Sequence, residues 1–278
     1  MKNISHFINF KNLNAPVIQW LAEITRISEA RPIFCNTFSN PNQKQKEKNV
    51  VLEADTVGDF SEHSTRKSPL PVELRNTFNS KTLFPVFNAD EVLGSERLLS
   101  EIIDTELLLI SCLPIDEEKG LKLDSLSSKI INRAKCPVIL IPENINKPEK
   151  INHVIYNSDV RFTELRLVKT LARLCKTLRS KLTLAHVSDN GIPDLGTDYG
   201  KALFKDCFET RVPECEFDME NIKKSDVQKY PDLIHEFLLG DIYSMTNKNK
   251  YLKDGDYLSS AAVKFAAMAK KPLLILNT

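Results

Sequence analysis

The segment that decides the fold is ELLLISCLPIDEEKGLKLDSLSSKIINRAKCPVILIP, residues 106–142, which returns in altered form as DIYSMTNKNKYLKDGDYLSSAAVKFAAMAKKPLLILN, residues 241–277. The two segments align without a gap at a shift of 135 positions. Seven aligned pairs are identical: Gly120 and Gly255, Leu123 and Leu258, Ser125 and Ser260, Lys129 and Lys264, Ala134 and Ala269, Lys135 and Lys270, Pro137 and Pro272. Each copy predicts a strand, a loop, a helix and a second strand, because short apolar runs flank a stretch of helical spacing. The repeat therefore predicts two similar domains in one chain.

The beginnings of the two halves also share one order of elements. The predicted strands are Phe7–Phe10, Ile33–Phe38, Val154–Ser158 and Leu182–Val187. A helical stripe lies within each half, made of Val17, Trp20, Leu21, Ile24 and Ile27 in the first and of Leu165, Val168, Leu171, Ala172, Cys175 and Leu178 in the second. A shift of 147 positions lays His6, Ile8 and Arg26 on His153, Ile155 and Arg173. Strands that alternate with helices predict βα units around a parallel sheet.

A polar segment separates the halves. Residues 143–150 (ENINKPEK) include Pro148 and carry no periodic apolar side chains, which is typical of a linker. We therefore predict one domain over residues 1–145 and a second over residues 151–278.

Composition excludes several classes of protein. The 278 residues are 42% hydrophobic and 27% charged, so the chain can bury real cores and is not predicted to be disordered. A formal charge of +1 argues against a nucleic-acid binder or an anionic-membrane binder. The six cysteines fall singly, without a CxxC pair, so no zinc or other metal site is predicted. The start of the chain does not read as a signal peptide, and no apolar run approaches the roughly 18 residues of a membrane span, so we expect a cytoplasmic protein with no membrane contact.

The repeated pattern resembles the universal stress protein family, in a tandem form. In that family the fourth strand leads into a glycine motif, GxxG, nine further residues and G[ST], before a helix and a final strand. The four motif positions are Ser111, Pro114, Asp124 and Ser125 in the first copy and Thr246, Asn249, Ser259 and Ser260 in the second. The spacing is kept and every motif glycine is replaced. The resemblance implies an α/β fold of two Rossmann-like, adenine nucleotide alpha hydrolase-like domains, each a mostly parallel five-stranded sheet flanked by helices.

The resemblance also bears on partners. In the family the final strand meets its counterpart in a partner domain, and here the final strands follow Pro137 and Pro272. It therefore implies an intramolecular pseudo-dimer of the two domains, and it leaves open a homodimer and an unknown protein partner.

An alternating acidic stretch, ECEFDME at residues 214–220, corresponds to the family's third strand at the sheet edge. As a strand it places Glu214, Glu216, Asp218 and Glu220 on one face. A row of carboxylates can bind a cation, but outward charge on an edge strand also discourages pairing with other chains. We favour the second interpretation.

The lost glycines argue against nucleotide binding by the first domain. A phosphate-cradling loop needs backbone N–H groups close to the anion, which glycine permits because it has no Cβ. Pro114 has no N–H to offer, and Asp116, Glu117, Glu118 and Asp124 would repel a phosphate.

The second domain allows two interpretations. Asp159 matches the aspartate that contacts adenosine in nucleotide-binding family members, and Asn12 is its nearest counterpart in the first half. Around the motif lie Thr246, Lys248, Asn249, Lys250, Ser259 and Ser260, which could form a weakened phosphate site for ATP or AMP. The alternative, which we favour, is that the lysines are a solvated face and one serine is a helix N-cap, so that no cofactor is bound.

No catalytic motif is present, and we assign no catalytic residue. His186 lies near the end of a predicted strand, where the family often has histidine. The leading hypothesis is a cytoplasmic tandem universal stress protein that acts as a stress-response scaffold or interaction protein, with nucleotide binding lost or weakened. The alternative is an ATP- or AMP-binding protein that uses the second domain. A third hypothesis, a hydrolase of a small phosphorylated or acyl substrate, requires a pocket with convergent polar groups.

Overall fold

A computed structural model describes residues 3–37, 70–78, 84–112, 119–148, 150–158, 164–188, 202, 217–223, 239–247, 252–253, 255, 257–258 and 261–277. The described strands are β1 (Asn3–Ile8), β2 (Arg31–Asn36), β3 (Val86–Asn88), β4 (Leu107–Cys112), β5 (Leu121–Lys122), β6 (Val138–Pro142), β7 (His153–Asn157), β8 (Lys181–Ser188), β9 (Phe217–Lys223), β10 (Ile242–Asn247), β11 (Tyr257–Leu258) and β12 (Leu273–Asn277). The helices are α1 (Ala15–Ser28), α2 (Val72–Thr77), α3 (Ala89–Gly94), α4 (Glu96–Ile103), α5 (Ser125–Arg133), α6 (Leu165–Leu178) and α7 (Ala261–Ala269). The predicted α/β class is confirmed.

Ten strands form one sheet, in the order β3-β2-β1-β4-β6-β12-β10-β7-β8-β9. Neighbouring strands run parallel except at the centre, where β6 and β12 are antiparallel. Residues before the 143–150 segment supply five strands on one side of this centre, and residues after it supply five on the other. A separate antiparallel pair, β5 with β11, joins the same two halves.

The strand registers relate the two halves by a constant shift. Ile139 faces Leu274 across the central pair, and Lys122 faces Tyr257 across the short pair. Both pairs are 135 positions apart, so each strand meets its own copy at the equivalent residue. This is the shift that aligns the repeated segments, and it is the geometry of an approximate two-fold axis.

The shift of 147 for the beginnings of the halves is wrong. Asn3 pairs with Arg31 in the first half and His153 pairs with Lys181 in the second, which makes the shift 150. Helices α1 and α6, both 14 residues long, agree with this shift. The three identities at 147 were coincidental, and the first-half position equivalent to 159 is Asn9, not Asn12.

The sheet lies between two layers of helices. Along β6, Val138 and Leu140 belong to one core, with α3, α4, α5 and α7, while Ile139 and Ile141 belong to another, with α1, α2 and α6. Strands buried on both faces read as continuous apolar runs, which is why the final strand of each half was recognisable in the sequence. Among the residues that the structure describes, no helix has both the length and the hydrophobicity to cross a lipid bilayer.

The first strand differs most from its prediction, because it begins at Asn3 and ends at Ile8. Polar residues at its centre hide the strand pattern, and both are buried with partners from other elements. The Ser5 hydroxyl donates to the Ile102 carbonyl at 2.7 Å, and His6 Nε2 lies 3.1 Å from Thr25 Oγ1. These tertiary hydrogen bonds allow two polar side chains in a central strand.

Helix α1 follows its predicted pattern. The Asn14 side chain accepts a hydrogen bond from the Val17 N–H at 2.9 Å, as an N-cap does. The helix ends at Glu29, which has a left-handed backbone (φ 53°), and α6 ends in the same way at Arg179 (φ 54°). The predicted stripe packs inward, with Ile27 only partly buried.

The polar segment between the halves is tied to both of them. The Trp20 indole N–H donates to the Asn146 carbonyl at 2.7 Å, and the Asn146 N–H donates to the Lys270 carbonyl at 3.2 Å. Ile145 is buried. The segment is therefore a docked connection between α1 and the end of α7.

The acidic stretch is confirmed as an edge strand over its described residues 217–220, while Glu214 and Glu216 lie outside the described residues. Strand β9 covers Phe217–Lys223 and is the last strand in the described sheet order. Asp218 is exposed and Met219 is buried, as the alternation predicts.

Gly120 and Gly255, the identical pair of the repeat, both need a positive φ (88° and 83°). A Cβ on Gly255 meets nothing within 4 Å, so strain there comes from the backbone alone. We predict that Gly255→Ala lowers the free energy of unfolding by about 1 kcal/mol. Gly94→Ala is the matched control, because its Cβ also has open space and its φ is not positive, and it should be neutral or stabilising. Urea denaturation followed by circular dichroism measures both, and equal stabilities would contradict the prediction.

Burial of His6 makes stability depend on pH. Its ring is fully buried, and desolvation lowers its pKa to about 3, against 6.5 for an exposed histidine. As pH falls, His6 is therefore protonated in the unfolded chain before it is protonated in the folded one. The contribution of neutral His6 to the free energy of unfolding is complete above pH 6.5 and is lost as pH falls towards 3. Between pH 7 and pH 5 we predict a loss of about 2 kcal/mol from this group, since each pH unit below 6.5 contributes about 1.4 kcal/mol.

The variant His6→Phe keeps an aromatic ring and should lose this part of the pH dependence in urea denaturation. His153→Asn is the comparison, because burial also lowers the pKa of the half-buried His153. Its effect should have the same sign and a smaller size. An unchanged pH profile in His6→Phe would contradict the prediction.

Candidate functional site

The carboxyl ends of β7, β8 and β10 meet at one edge of the second half, which is where parallel α/β sheets bind ligands. Six buried polar side chains gather there, and we call them the carboxyl-edge cluster: Tyr156, Ser158, Glu164, His186, Thr246 and Asn247. Each is at most 9% exposed. Buried polar groups are costly unless they are hydrogen-bonded, so the contacts within this cluster decide what it can do.

Ser158 is the centre of the cluster. Its hydroxyl donates to Glu164 Oε2 at 2.6 Å, and its carbonyl oxygen accepts from His186 Nδ1 at 2.9 Å. A carbonyl cannot donate, so His186 carries a proton on Nδ1, and in the tautomer with that single proton Nε2 is the ring's acceptor. Nε2 is buried and has no hydrogen-bond partner in the described part of the chain. Among the fully buried side-chain polar atoms of the cluster, it is the one without a partner in the described residues.

A second contact links two strands at this edge. The Tyr156 hydroxyl on β7 and the Thr246 hydroxyl on β10 lie 2.6 Å apart. Thr246, a motif position in the sequence, is thus engaged with a neighbouring strand and only 8% exposed.

The edge is also connected to the first half. The Asn247 amide donates to Asn277 Oδ1 at 3.2 Å, and the Asn277 amide donates to the carbonyls of Ile131 and Ala134 at 2.7 and 2.8 Å. These carbonyls belong to the end of α5, where a helix leaves acceptors unpaired. Asn247 of the cluster is therefore joined through Asn277 to the C-terminal end of α5.

The first half has a different edge. With the shifts of 150 and 135, the counterparts of the cluster are His6, Ile8, Asn14, Asn36, Ser111 and Cys112. Ile8 is apolar and fully buried where the second half has Ser158. Asn14 caps α1 and donates to the Glu143 carbonyl at 2.8 Å, so it has no counterpart of the bond between Ser158 and Glu164. Within the described residues, the contacts of the carboxyl-edge cluster have no equivalent in the first half.

The start of α5 is where a phosphate would sit in the first half, and a carboxylate is already there. Asp124 is the N-cap, and its oxygens accept from the Ser127 N–H at 2.8 Å and the Ser127 hydroxyl at 3.0 Å. An anion brought to this helix terminus would meet a negative charge and a donor that is already used.

The predicted site residues divide into two groups. Thr246 is in the carboxyl-edge cluster, while Asp159, Lys248, Asn249, Lys250, Ser259 and Ser260 lie outside the described residues. In the first copy, Ser111 is buried, Asp124 caps α5 and Ser125 is its first residue, whereas Pro114 lies outside the described residues.

Sequence reasoning missed Tyr156, Ser158 and Glu164. Ser158 is the last residue of a predicted strand, but Tyr156 lies within that strand and Glu164 lies six residues beyond it, so nothing in the sequence joins the three.

The described residues contain no group of three or more histidine, cysteine or acidic side chains that could hold a metal ion. Among the cysteines described, Cys35 and Cys175 are buried and Cys136 is partly buried, and all three are free thiols. Burial raises the pKa of the Cys136 thiol to about 11, so it is protonated at neutral pH.

No protein-family model matches the chain, and the search of curated proteins found no match. Solved structures do resemble it. A universal stress protein from Archaeoglobus fulgidus has a TM-score of 0.54 at 9% identity, covering 99% of this chain and 96% of that one. A functionally unknown protein from Pseudomonas aeruginosa has a TM-score of 0.51 at 10% identity, covering 99% of this chain and 92% of that one.

The cytoplasmic domain of a prokaryotic cation chloride cotransporter has a TM-score of 0.50 at 10% identity, covering 98% of this chain and 94% of that one. At these identities the comparisons show the fold. Over nearly its whole length, the chain has the α/β fold of a universal stress protein structure.

Proposed function

We propose that the chain is a non-enzymatic, cytoplasmic scaffold or interaction protein of the stress response, with the tandem arrangement of a universal stress protein. In this proposal the first half has lost nucleotide binding and the second half binds nucleotide weakly or not at all. The ligand of such a protein is another protein.

The contact that carries the proposal is the Asp124 cap on α5. It uses the Ser127 N–H that a phosphate would need and adds a negative charge at the same place. In this proposal, Asp124 stands where the family has a motif glycine. The N-terminus of α5 is then occupied by the chain's own carboxylate in place of a bound anion.

The arrangement of the halves supports a scaffold. We infer that they form an internal pseudo-dimer, because Ile139 and Leu274, equivalent residues, face each other across the central strands. The antiparallel pair β5 and β11 adds a second contact between the halves. Because both partners of the pseudo-dimer belong to one chain, the surface that they form together does not depend on protein concentration.

Nucleotide binding by the second half is the second candidate function, and one observation favours it. His186 Nε2 is a buried acceptor with no partner among the described residues, at the edge where a ligand would lie. ATP or AMP could donate to this nitrogen, with Asp159 close in sequence to Ser158. The first half has no equivalent group, since Asn36 is the counterpart of His186.

Calorimetric titration of the full chain with AMP, and with ATP and Mg²⁺, separates the two functions. If the scaffold proposal is right, neither nucleotide gives heat or thermal stabilisation at millimolar concentration. Binding tighter than about 100 μM, which corresponds to about −5.5 kcal/mol, would contradict it.

Two matched variants locate any binding that is found. Loss of affinity in Asp159→Ala, with no loss in Asn9→Ala at the equivalent first-half position, would establish the second candidate. Loss in Asn9→Ala alone would contradict both, because it would place the site in the first half.

The role of Asp124 as a cap has its own test. We predict that Asp124→Ala lowers the free energy of unfolding by about 1 kcal/mol, because Ser127 loses its acceptor. Ser125→Ala, at the neighbouring exposed position, should leave stability within about 0.5 kcal/mol of the unmodified chain. Urea denaturation measures both changes. Equal stabilities would show that the carboxylate is not a structural cap.

A further inference from the structure

We propose that a cavity at the amino-terminal edge of the first half binds a small amphipathic monoanion, with an aromatic or aliphatic body and one carboxylate or similar group. Because β6 and β12 are antiparallel, this edge of the first half lies on the same side of the sheet as the carboxyl-edge cluster, but the strands β1, β4, β6 and β12 lie between β2 at the cavity and β10 at the cluster. The inference does not depend on the proposed function.

The cavity has a volume of about 920 Å³, within the range of small-molecule sites. Its walls are the last turns of α1, the start of β2, the end of α2, the residues before β3 and the connection between the halves. The lining residues are Gln19, Ala22, Glu23, Thr25, Arg26, Glu29, Ala30, Arg31, Pro32, Thr77, Phe78, Phe84, Lys147 and Pro148.

The apolar wall is aromatic. The rings of Phe78 and Phe84 meet edge-on, with centroids 6.3 Å apart and an angle of 75° between their planes. Phe34 holds both from behind, at 5.2 and 5.7 Å, and His6 stacks on Phe34 at 5.0 Å. A network of rings fixed in this way offers a preformed surface for a flat or aliphatic body.

The polar wall favours an anion. Arg26 is paired with Glu23 at 2.7 Å, so these charges compensate each other. Arg31 and Lys147 have no ion pair in the described part of the chain, and Glu29 is the remaining acid in the lining. Two cations against one carboxylate leave an excess of one positive charge, which suits a monoanion better than a phosphate with two charges.

His6 adds an observation about the surroundings of the cavity. The Thr25 hydroxyl donates to the Leu21 carbonyl at 2.7 Å, so it accepts from His6 Nε2–H. Thr25 lines the cavity, and behind it His6 leaves Nδ1 buried without a partner among the described residues. The cavity thus borders a core that is aromatic and contains no charge of its own, because burial lowers the pKa of His6 to about 3.

The cavity also borders the connection between the halves. Lys147 and Pro148 follow Asn146 directly. The Asn146 carbonyl accepts a hydrogen bond from the Trp20 indole N–H, and the Asn146 N–H donates to the Lys270 carbonyl. A ligand held by Lys147 would therefore act on a segment that is bonded to both halves.

The test is calorimetry on the full chain with three probes of one shape: naphthalene-2-carboxylate, 2-naphthylmethanol and 2-naphthylmethylammonium. We expect the carboxylate to bind with one site per chain and about tenfold more tightly than the ammonium probe. In the double variant Arg31→Gln, Lys147→Gln this preference should fall to about twofold or less, since exposed charges contribute modestly. Lys181→Gln, at the position equivalent to Arg31 in the second half, is the matched control and should keep the preference.

A second variant tests the cavity itself. Ala22→Phe places a ring inside it from a partly exposed position on α1, and it should weaken the carboxylate probe about tenfold or more while circular dichroism stays unchanged. Equal affinity for the three probes would overturn the proposal. So would carboxylate binding that survives Ala22→Phe, or that AMP displaces, because the probe would then lie elsewhere.

Discussion

The structure depends on the antiparallel pairing of β6 with β12. Each is the last strand of its half, and each is apolar on both faces. At a sheet edge, either strand would expose apolar side chains and unpaired backbone groups that could pair with another chain. Pairing them removes both edges at once and makes one ten-stranded sheet. It also brings α5 towards the second half, where Asn132 exchanges two hydrogen bonds with the Leu252 backbone at 2.7 and 3.0 Å. The short pair β5 and β11 forms beside these contacts.

The symmetry of this pairing makes the differences between the halves informative. Equivalent positions have equivalent backbone environments, so Ser158 and Ile8 differ because their surroundings need different chemistry. In the second half, polar side chains fill the carboxyl edge, and the buried His186 Nε2 has no partner in the part of the chain that the structure describes. At the equivalent edge of the first half, Asn14 and Asp124 cap helices. Polar side chains therefore satisfy helix termini in one half and contact each other in the other half.

Sequence alone predicted what depends on periodicity. The repeat, the stripe on α1 and the final strands were recognisable because burial on one or two faces imposes a period on the residues. The bounds of β1 were not, because Ser5 and His6 are polar and are satisfied by Ile102 and Thr25, which are distant in sequence. The shift of 147 was wrong because it was chosen from three identities. The correct correspondence between the halves depends on the register of the strands, which only strand pairing fixes. The bond between Ser158 and Glu164 was invisible because it joins the residue after β7 to the N-cap of α6, a contact that leaves no period in the sequence.

The energetics explain how the edges of this fold could change while the fold stayed the same. Eight aliphatic residues of β6 and β12 are fully or almost fully buried: Val138, Ile139, Leu140, Ile141, Leu273, Leu274, Ile275 and Leu276. At about 1.5–3 kcal/mol each, their burial contributes on the order of 12–24 kcal/mol as an upper estimate. A helix cap such as Asp124 contributes about 1 kcal/mol. A change of residue at an edge of the sheet therefore alters the local contacts there at a small cost relative to the burial that holds the central strands together.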